Sequence, residues 1–298
     1  MINSIEKEVK TSTNLCTNME DVDPNLTVEK QFLGYCDECY KEKIVNILKN
    51  NEIDISIVEI GFGVVCGKGR YHLALKILTL KPNLNINNNH DFPFREAFKY
   101  NQEKIISWLY RISNINLHIY EEYPLRISCS YGYLNLLKWL VKINDQNMNN
   151  DDKIDFGIRD GYIINKVCKY GHLKILKFLL KTVDKDGSLT EQYLSNGFKL
   201  ACKNNQIDIV KWIICYVIDE EIELNICAYY LFLKVCRLGY HNIAKILCEI
   251  DDDIEIDEEF DDTFDICHKR KHQNIINWIL NISDRYWSDG VTFGISQN

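Results

Sequence analysis

From residue 173 to residue 181 the chain is apolar at Leu173, Ile175, Leu176, Phe178, Leu179 and Leu180, and polar at Lys174, Lys177 and Lys181. Steps of three and four place those lysines on one stripe of a helix and leave the rest of its surface apolar. The stripe recurs as Lys104, Ser107 and Arg111, as Asn135, Lys138 and Lys142, and as Asn274, Asn277 and Asn281. A helix that is wet along one line is predicted to lie between two neighbours. Just upstream stand Tyr170-Gly171, and elsewhere Tyr131-Gly132, Asn204-Asn205 and Leu238-Gly239. Gly and Asn tolerate the left-handed backbone that ends a helix and reverses the chain, so each pair predicts a helix–turn–helix.

The whole phrase repeats. Lys166-Val-Cys-Lys-Tyr-Gly-His-Leu-Lys-Ile-Leu-Lys-Phe-Leu179 returns as Ile127 to Leu140 and again as Leu200 to Ile213. Aligning the Trp212 position gives the column Ile47, Ile77, Trp108, Trp139, Phe178, Trp212, Ile246 and Trp278, with steps of 30, 31, 31, 39, 34, 34 and 32. Self-similarity at this period is the mark of a repeat array, in which each unit hides its apolar face by stacking on the next. Eight repeats are expected over residues 26–282, preceded by a disordered segment 1–25 and followed by a tail 283–298. A column of small residues, Cys129, Cys168, Cys202 and Cys236, with Cys36, Cys66, Ala97 and Cys267 one place earlier, lets the paired helices approach closely. The 39-residue step holds Asn144 to Lys153, read as an inserted loop.

Composition narrows the function. Hydrophobic residues make up 46% of the 298, enough for a core, and only four prolines suit helices. A net charge of −8 argues against nucleic acid as the main partner. No apolar run is long enough to span a bilayer, and Met1 to Asp23 lacks a signal core, so an intracellular, cytoplasmic protein is expected. Twelve cysteines then read as reduced thiols, and Asn25-Leu-Thr27 and Asn281-Ile-Ser283 as chance matches to a glycosylation pattern.

The phrase Tyr123-Pro-Leu-Arg-Ile-Ser-Cys-Ser-Tyr-Gly-Tyr-Leu-Asn-Leu-Leu-Lys-Trp-Leu140 resembles the ankyrin repeat, T-P-L-H-x-A-A-x-x-G-H-L-x-I-V-x-x-L-L, and Phe92-Pro-Phe-Arg-Glu-Ala97 keeps part of it. The Thr and His are replaced almost throughout, and the Gly-Ala-Asp-x-Asn hairpin signal shrinks to Asn83 to Asn87 and Asn114 to Asn116. This Asn/Ile/Lys-rich variety is similar to ankyrin proteins encoded by giant DNA viruses. The resemblance implies an all-α, ankyrin-type solenoid with short or degenerate β-hairpins. It also implies a monomeric, non-enzymatic module that offers an extended concave surface to a protein, a host protein if the source is viral. An alternative is a substrate adaptor for a ubiquitin ligase, although the tail Arg285 to Phe293 holds no convincing helical box.

Chemical sites are sparse. Cys36-Asp-Glu-Cys39 has half a zinc spacing but no second pair. Asp184 to Glu191 starts like an EF-hand but has Leu189 where Gly is needed and Ser195 in place of the bidentate Glu. His268 and His272 lie i, i+4 with no third ligand in view, and His172 is expected to buttress its turn. No catalytic residue, cofactor or metal site is assigned. Two features remain as partner-binding candidates. One is the aromatic series Phe92, Tyr123, Tyr162 and Tyr230 at the family's Thr position, read as inter-repeat packing with hydroxyls left at the rim. The other is the acidic run Asp251 to Asp262, beginning with Asp251, Asp252 and Asp253, read as a solvated loop or a dock for a basic partner.

Overall fold

In a computed structural model of the chain, the described residues are 27–146, 153–182, 191–251, 254, 256 and 260–282. They form sixteen α-helices and no strand. In chain order these are α1 (Val28–Glu38), α2 (Lys41–Asn50), α3 (Ile55–Gly67), α4 (Tyr71–Leu80), α5 (Asn88–Lys99), α6 (Glu103–Ile112), α7 (Ile119–Tyr131) and α8 (Leu134–Gln146), followed by α9 (Ile158–Tyr170), α10 (Leu173–Thr182), α11 (Glu191–Lys203), α12 (Ile207–Asp219), α13 (Ala228–Leu238), α14 (His241–Ile250), α15 (Asp261–Lys269) and α16 (Gln273–Ile282). Each odd helix and the even helix after it make one repeat of an all-α, ankyrin-type array. Among the described residues no helix is long and apolar enough to cross a membrane. The segment 1–25, the EF-hand-like start at 184–190 and the tail 283–298 lie outside the described residues.

Every repeat turns through one left-handed residue: Cys39, Gly69, Asn101, Gly132, Gly171, Asn205, Gly239 and Lys271, all with φ between 57° and 83°. Gly171, at φ 82°, sits where an L side chain would be strained and would also strike Gln206. Counting from these residues corrects the register of the first two repeats. Ile47 and Ile77 stand eight places after their turns, level with Leu109, Leu140 and Leu179, and not in the tryptophan column. Cys36 and Cys66 then fall in the same column as Cys129, Cys168, Cys202 and Cys236, three places before the turn. Adjacent positions here are both apolar, so matching hydrophobicity alone slips by one residue; the backbone turn does not.

The core of the second helices lies four, five and eight places after the turn. Ile105, Ile106 and Leu109, Leu136, Leu137 and Leu140, Ile175, Leu176 and Leu179, and Ile209, Val210 and Ile213 are at most 2% exposed. The tryptophans sit one place before the last of these and bridge repeats. Trp108 meets Phe62 and Tyr71, with ring centroids 6.3 and 5.2 Å away, and Trp139 meets Phe98 and Tyr110 at 6.1 and 5.2 Å. Trp139, Trp212 and Trp278 are only half-buried, so they are junction residues rather than the centre of the core.

The chain divides into two compact bodies, one running to Ser128 and including Asn135–Asp155, the other made of Cys129–Leu134 and the residues from Phe156 on. In the first, α1 packs on α3, α3 on α5, and α2 on α4. The α3–α5 contact is close because Gly63 lets the Phe92 ring lie against the backbone; a Cβ there would collide with it. In the second, α9 packs on α11, α11 on α13, α13 on α15, and α12 on α14. There the Cys168 Sγ faces Gly197, 2.8 Å from where a Cβ would stand, and Cys267 Sγ donates to the Cys236 carbonyl at 3.3 Å. Small residues in this column set how near successive first helices come.

The connections between repeats are held by side chains where β-hairpins were expected. Asn85 Oδ1 accepts from the Asn87 amide at 3.1 Å, and Asn116 Oδ1 from the His118 amide at 2.9 Å. Such Asx turns offer the backbone a local partner instead of a strand ladder. The step expected as a loop from Asn144 to Lys153 begins later than expected, because α8 continues to Gln146. Asn144 Oδ1 accepts from the Ile154 amide at 2.7 Å and closes it.

Candidate interaction surface

Two kinds of device order the surface of the first body. Buried carboxylates pin three connections to the preceding repeat. Glu59 accepts from the Asn85 amide at 3.0 Å and from Asn88 Nδ2, and Asp91 accepts from the Asn116 amide at 3.1 Å and from Asn87 Nδ2 at 2.6 Å. Glu122 accepts from the Asp155 amide at 3.3 Å and meets His118 Nδ1 at 2.7 Å. In the second body Ser195 Oγ does the same work for the Asn225 amide at 3.0 Å.

The other device is a left-handed turn of three residues at the start of α5 (Asn89, His90, Asp91) and of α7 (Tyr120, Glu121, Glu122). Each non-glycine residue in this conformation costs roughly 1–2 kcal/mol, so something must hold it. Arg95 donates from Nε to the His90 carbonyl at 2.9 Å and from its guanidinium to the Asn89 carbonyl at 3.1 Å. Arg126 donates in the same way to the Glu121 and Tyr120 carbonyls, at 2.7 and 2.6 Å. These arginines occupy the His place of T-P-L-H. Pro93 and Pro124 follow each turn at the head of a right-handed helix, where proline needs no N–H partner.

The aromatic series does not behave as one ladder. Phe92 is buried against Gly63 and belongs to the core, and Tyr123 is half-buried. Tyr162 is half-buried with Lys166 Nζ 5.1 Å from its ring centroid, while Tyr230 is 61% exposed. Asp251 caps α14 and is half-buried; Asp252 and Asp253 lie outside the described residues.

The cysteine column is chemically quiet. Burial pushes the Cys168 and Cys202 thiols up to about 12 and Cys267 up to about 11, and raises Cys36, Cys66, Cys129 and Cys236 well above the ordinary thiol value. Since the thiolate is the nucleophile and metal ligand, these groups are packing atoms. Cys39 provides the left-handed turn of the first repeat, with its Sγ 3.5 Å from the Cys36 carbonyl. Among the described residues no three His, Cys, Asp or Glu side chains cluster to hold a metal ion.

In three repeats the residue after the turn buttresses the repeat before it. His172 Nε2 lies 3.0 Å from the Ser130 carbonyl and its ring covers Gly132. Gln206 Nε2 donates to the Lys169 carbonyl at 3.1 Å, and His272 Nε2 lies 3.3 Å from the Arg237 carbonyl. His272 is thereby engaged, and His268 stacks edge-on against Phe264, so the i, i+4 pair is structural.

The helix pair, the left-handed turn and the Gly-His buttress are similar to those of one family over part of the chain. Residues 125–226 match ankyrin repeats, in three copies. No curated protein matches the chain. The helical pairs on either side of the matched stretch carry the same left-handed turn and the same buried positions, so the ankyrin-type geometry extends beyond it. Ankyrin repeats are protein-interaction modules.

A column missed in the sequence lies at the ends of the first helices. Two places before the turn, the last four repeats carry Lys169, Lys203, Arg237 and Lys269. It becomes visible once the turns set the register.

Proposed function

We propose that this protein is a non-enzymatic protein-binding module whose partner lies along the exposed side of the first helices and their connections. Tyr230 carries the reading. It is a large amphipathic ring 61% exposed on the first helix of its repeat, a helix whose Leu231, Phe232 and Val235 are buried. Tyrosine in such a position supplies contact area and a hydroxyl with little entropy to lose. Tyr162 and Asp251 extend the surface within the same body, and Tyr123 is a separate candidate in the first. Where the source is viral, the partner is a host protein. The chain acts as a monomer toward it.

The test is affinity capture with the intact chain, followed by mass spectrometry, repeated with Tyr230→Ala and with Tyr162→Ala. A partner recovered by the intact chain should fall about tenfold with Tyr230→Ala, the loss of one interface anchor. Recovery of the same proteins in the same amounts by both chains would refute the assignment. Capture of cullin-containing complexes that vanishes on deleting residues 283–298 would favour the adaptor reading instead.

A further inference from the structure

Resting on the interaction-module reading, we infer that the first-helix side of the second body binds an extended acidic polypeptide, with carboxylates at every third residue. Lys169, Lys203, Arg237 and Lys269 occupy one equivalent position in four successive repeats, two places before the turn. Lys166, Lys199 and Lys234 lie within a turn or so of them, and Arg270 and Lys271 extend the last. Segments 163–172, 197–206 and 232–241 contain no Asp or Glu. Among the described residues, none of these cations makes an ion pair. Lys169 and Lys166 stand 5.4 and 5.6 Å from the ring centroid of Tyr170, itself 46% exposed, which gives one end of the column an aromatic floor.

Helix capping does not account for the column. A cation in the last turn of a helix complements the helix dipole, but α1, α3 and α7 end without one. The equivalent positions in the first four repeats are Asp37, Gly67, Lys99 and Ser130. The scaffold closes its turns equally well either way.

The spacing selects the occupant. Packed helices lie about 8–10 Å apart, so the column presents one cation per ~10 Å. An extended peptide in the polyproline II form has three residues per turn and advances about 3.1 Å per residue, which brings every third side chain to one face and opposite a cation. A nucleic-acid strand carries phosphates at a much closer repeat.

The test uses the full chain and fluorescence anisotropy at low salt. The probes are a labelled Ser/Gly peptide with four Glu at every third position, a scrambled peptide of the same composition, and a single-stranded oligonucleotide. The spaced peptide should bind about fivefold or more tightly than the scrambled one, and affinity should fall with added salt. The combined Lys169→Gln, Lys203→Gln and Lys269→Gln chain should lose about tenfold in affinity for it. Lys174→Gln, Lys177→Gln and Lys211→Gln, on the second helices of the same body, should change it less than twofold. Circular dichroism melts check that both triple variants remain folded; single Lys203→Gln replaces the triple if it does not, with about a twofold loss expected. Equal binding of spaced and scrambled peptides, equal effects of the two triple variants, or tighter binding of the oligonucleotide would overturn the inference. Should it fall while capture still depends on Tyr230, the interaction-module reading stands without it.

Discussion

The two bodies are built from the same repeat but place their charged groups differently. In the first, charge is turned inward: Glu59, Asp91 and Glu122 are buried and spend themselves on backbone amides, and Arg95 and Arg126 on backbone carbonyls. Even its turn-edge cations are paired, Lys68 with Asp37 at 2.9 Å and Lys99 with Glu96 at 3.6 Å. In the second, the connection at Asn225 is held by the neutral Ser195, and the turn-edge cations make no ion pair among the described residues, Arg237 donating from Nε to Thr263 Oγ1 at 2.9 Å. A position that does not carry stability in one repeat is free to carry recognition in another. Function on a repeat scaffold is to be sought where the mechanical demand has lapsed.

The core should not distinguish the bodies, and this is the largest effect expected. Leu140→Ala in the first and Ile213→Ala in the second should each cost about 2–5 kcal/mol in denaturant melts. Trp139→Ala and Trp212→Ala should cost less than their volume suggests, because each ring is half-buried at a junction. If the tryptophans prove the more costly, the register set by the turns is wrong.

Next come the connections, where the bodies should part. Asp91→Ala or Glu122→Ala leaves a buried amide without its acceptor and should cost about 1–3 kcal/mol, while Ser195→Ala should cost about 1 kcal/mol. Arg95→Ala and Arg126→Ala should cost about 1.5–3 kcal/mol by freeing the left-handed turns. Equal losses at Asp91 and Ser195 would erase the contrast.

The thiols give a dependence on pH common to both bodies. Burial raises the folded pKa of Cys168 and Cys202 to about 12, above the unfolded value of roughly 8.5. The fold therefore favours the protonated thiol. That contribution is fully present below the unfolded pKa and is lost as pH rises toward 12. Melting temperature should fall over this window, and substituting Cys168 and Cys202 by Ala should flatten the fall. A maleimide should label the exposed Cys215 and Cys227 long before either.

The smallest effects are expected on the polar stripe of the second helices. Lys138→Ala and Lys177→Ala should change stability by no more than about 0.5 kcal/mol. A larger loss at Lys177 would mean that its position 5.7 Å from the Trp212 ring centroid contributes more than an exposed cation–π contact normally does.

The helical hairpins were legible because their signals are local. The three-and-four spacing of Lys174, Lys177 and Lys181, and the Tyr-Gly steps, report the geometry of single turns of chain. The register of the first two repeats was not, because Ile47 and Ile77 are apolar next to places where tryptophan is apolar elsewhere. The arginine forks were hidden for a different reason. Arg95 and Arg126 sit where the family has His, and nothing in the residue type says which carbonyls will point at them. The shared phrase of acid, aromatic, Pro, apolar and Arg, Asp91 to Arg95 and Glu122 to Arg126, was the available signal. The aromatic series misled because an equivalent place in the repeat was taken for an equivalent environment: Gly63 opens a slot that swallows Phe92, and no such slot receives Tyr230.

By itself the amino-acid order determined the helix pair, the turn and the number of repeats, since each depends on φ, ψ and periodicity within a few residues. Tertiary structure alone decided which apolar side chains are core and which are junction, which charges are consumed by the backbone, and which remain outside. Those outcomes depend on the neighbouring repeat, whose distance and small residues no single repeat encodes.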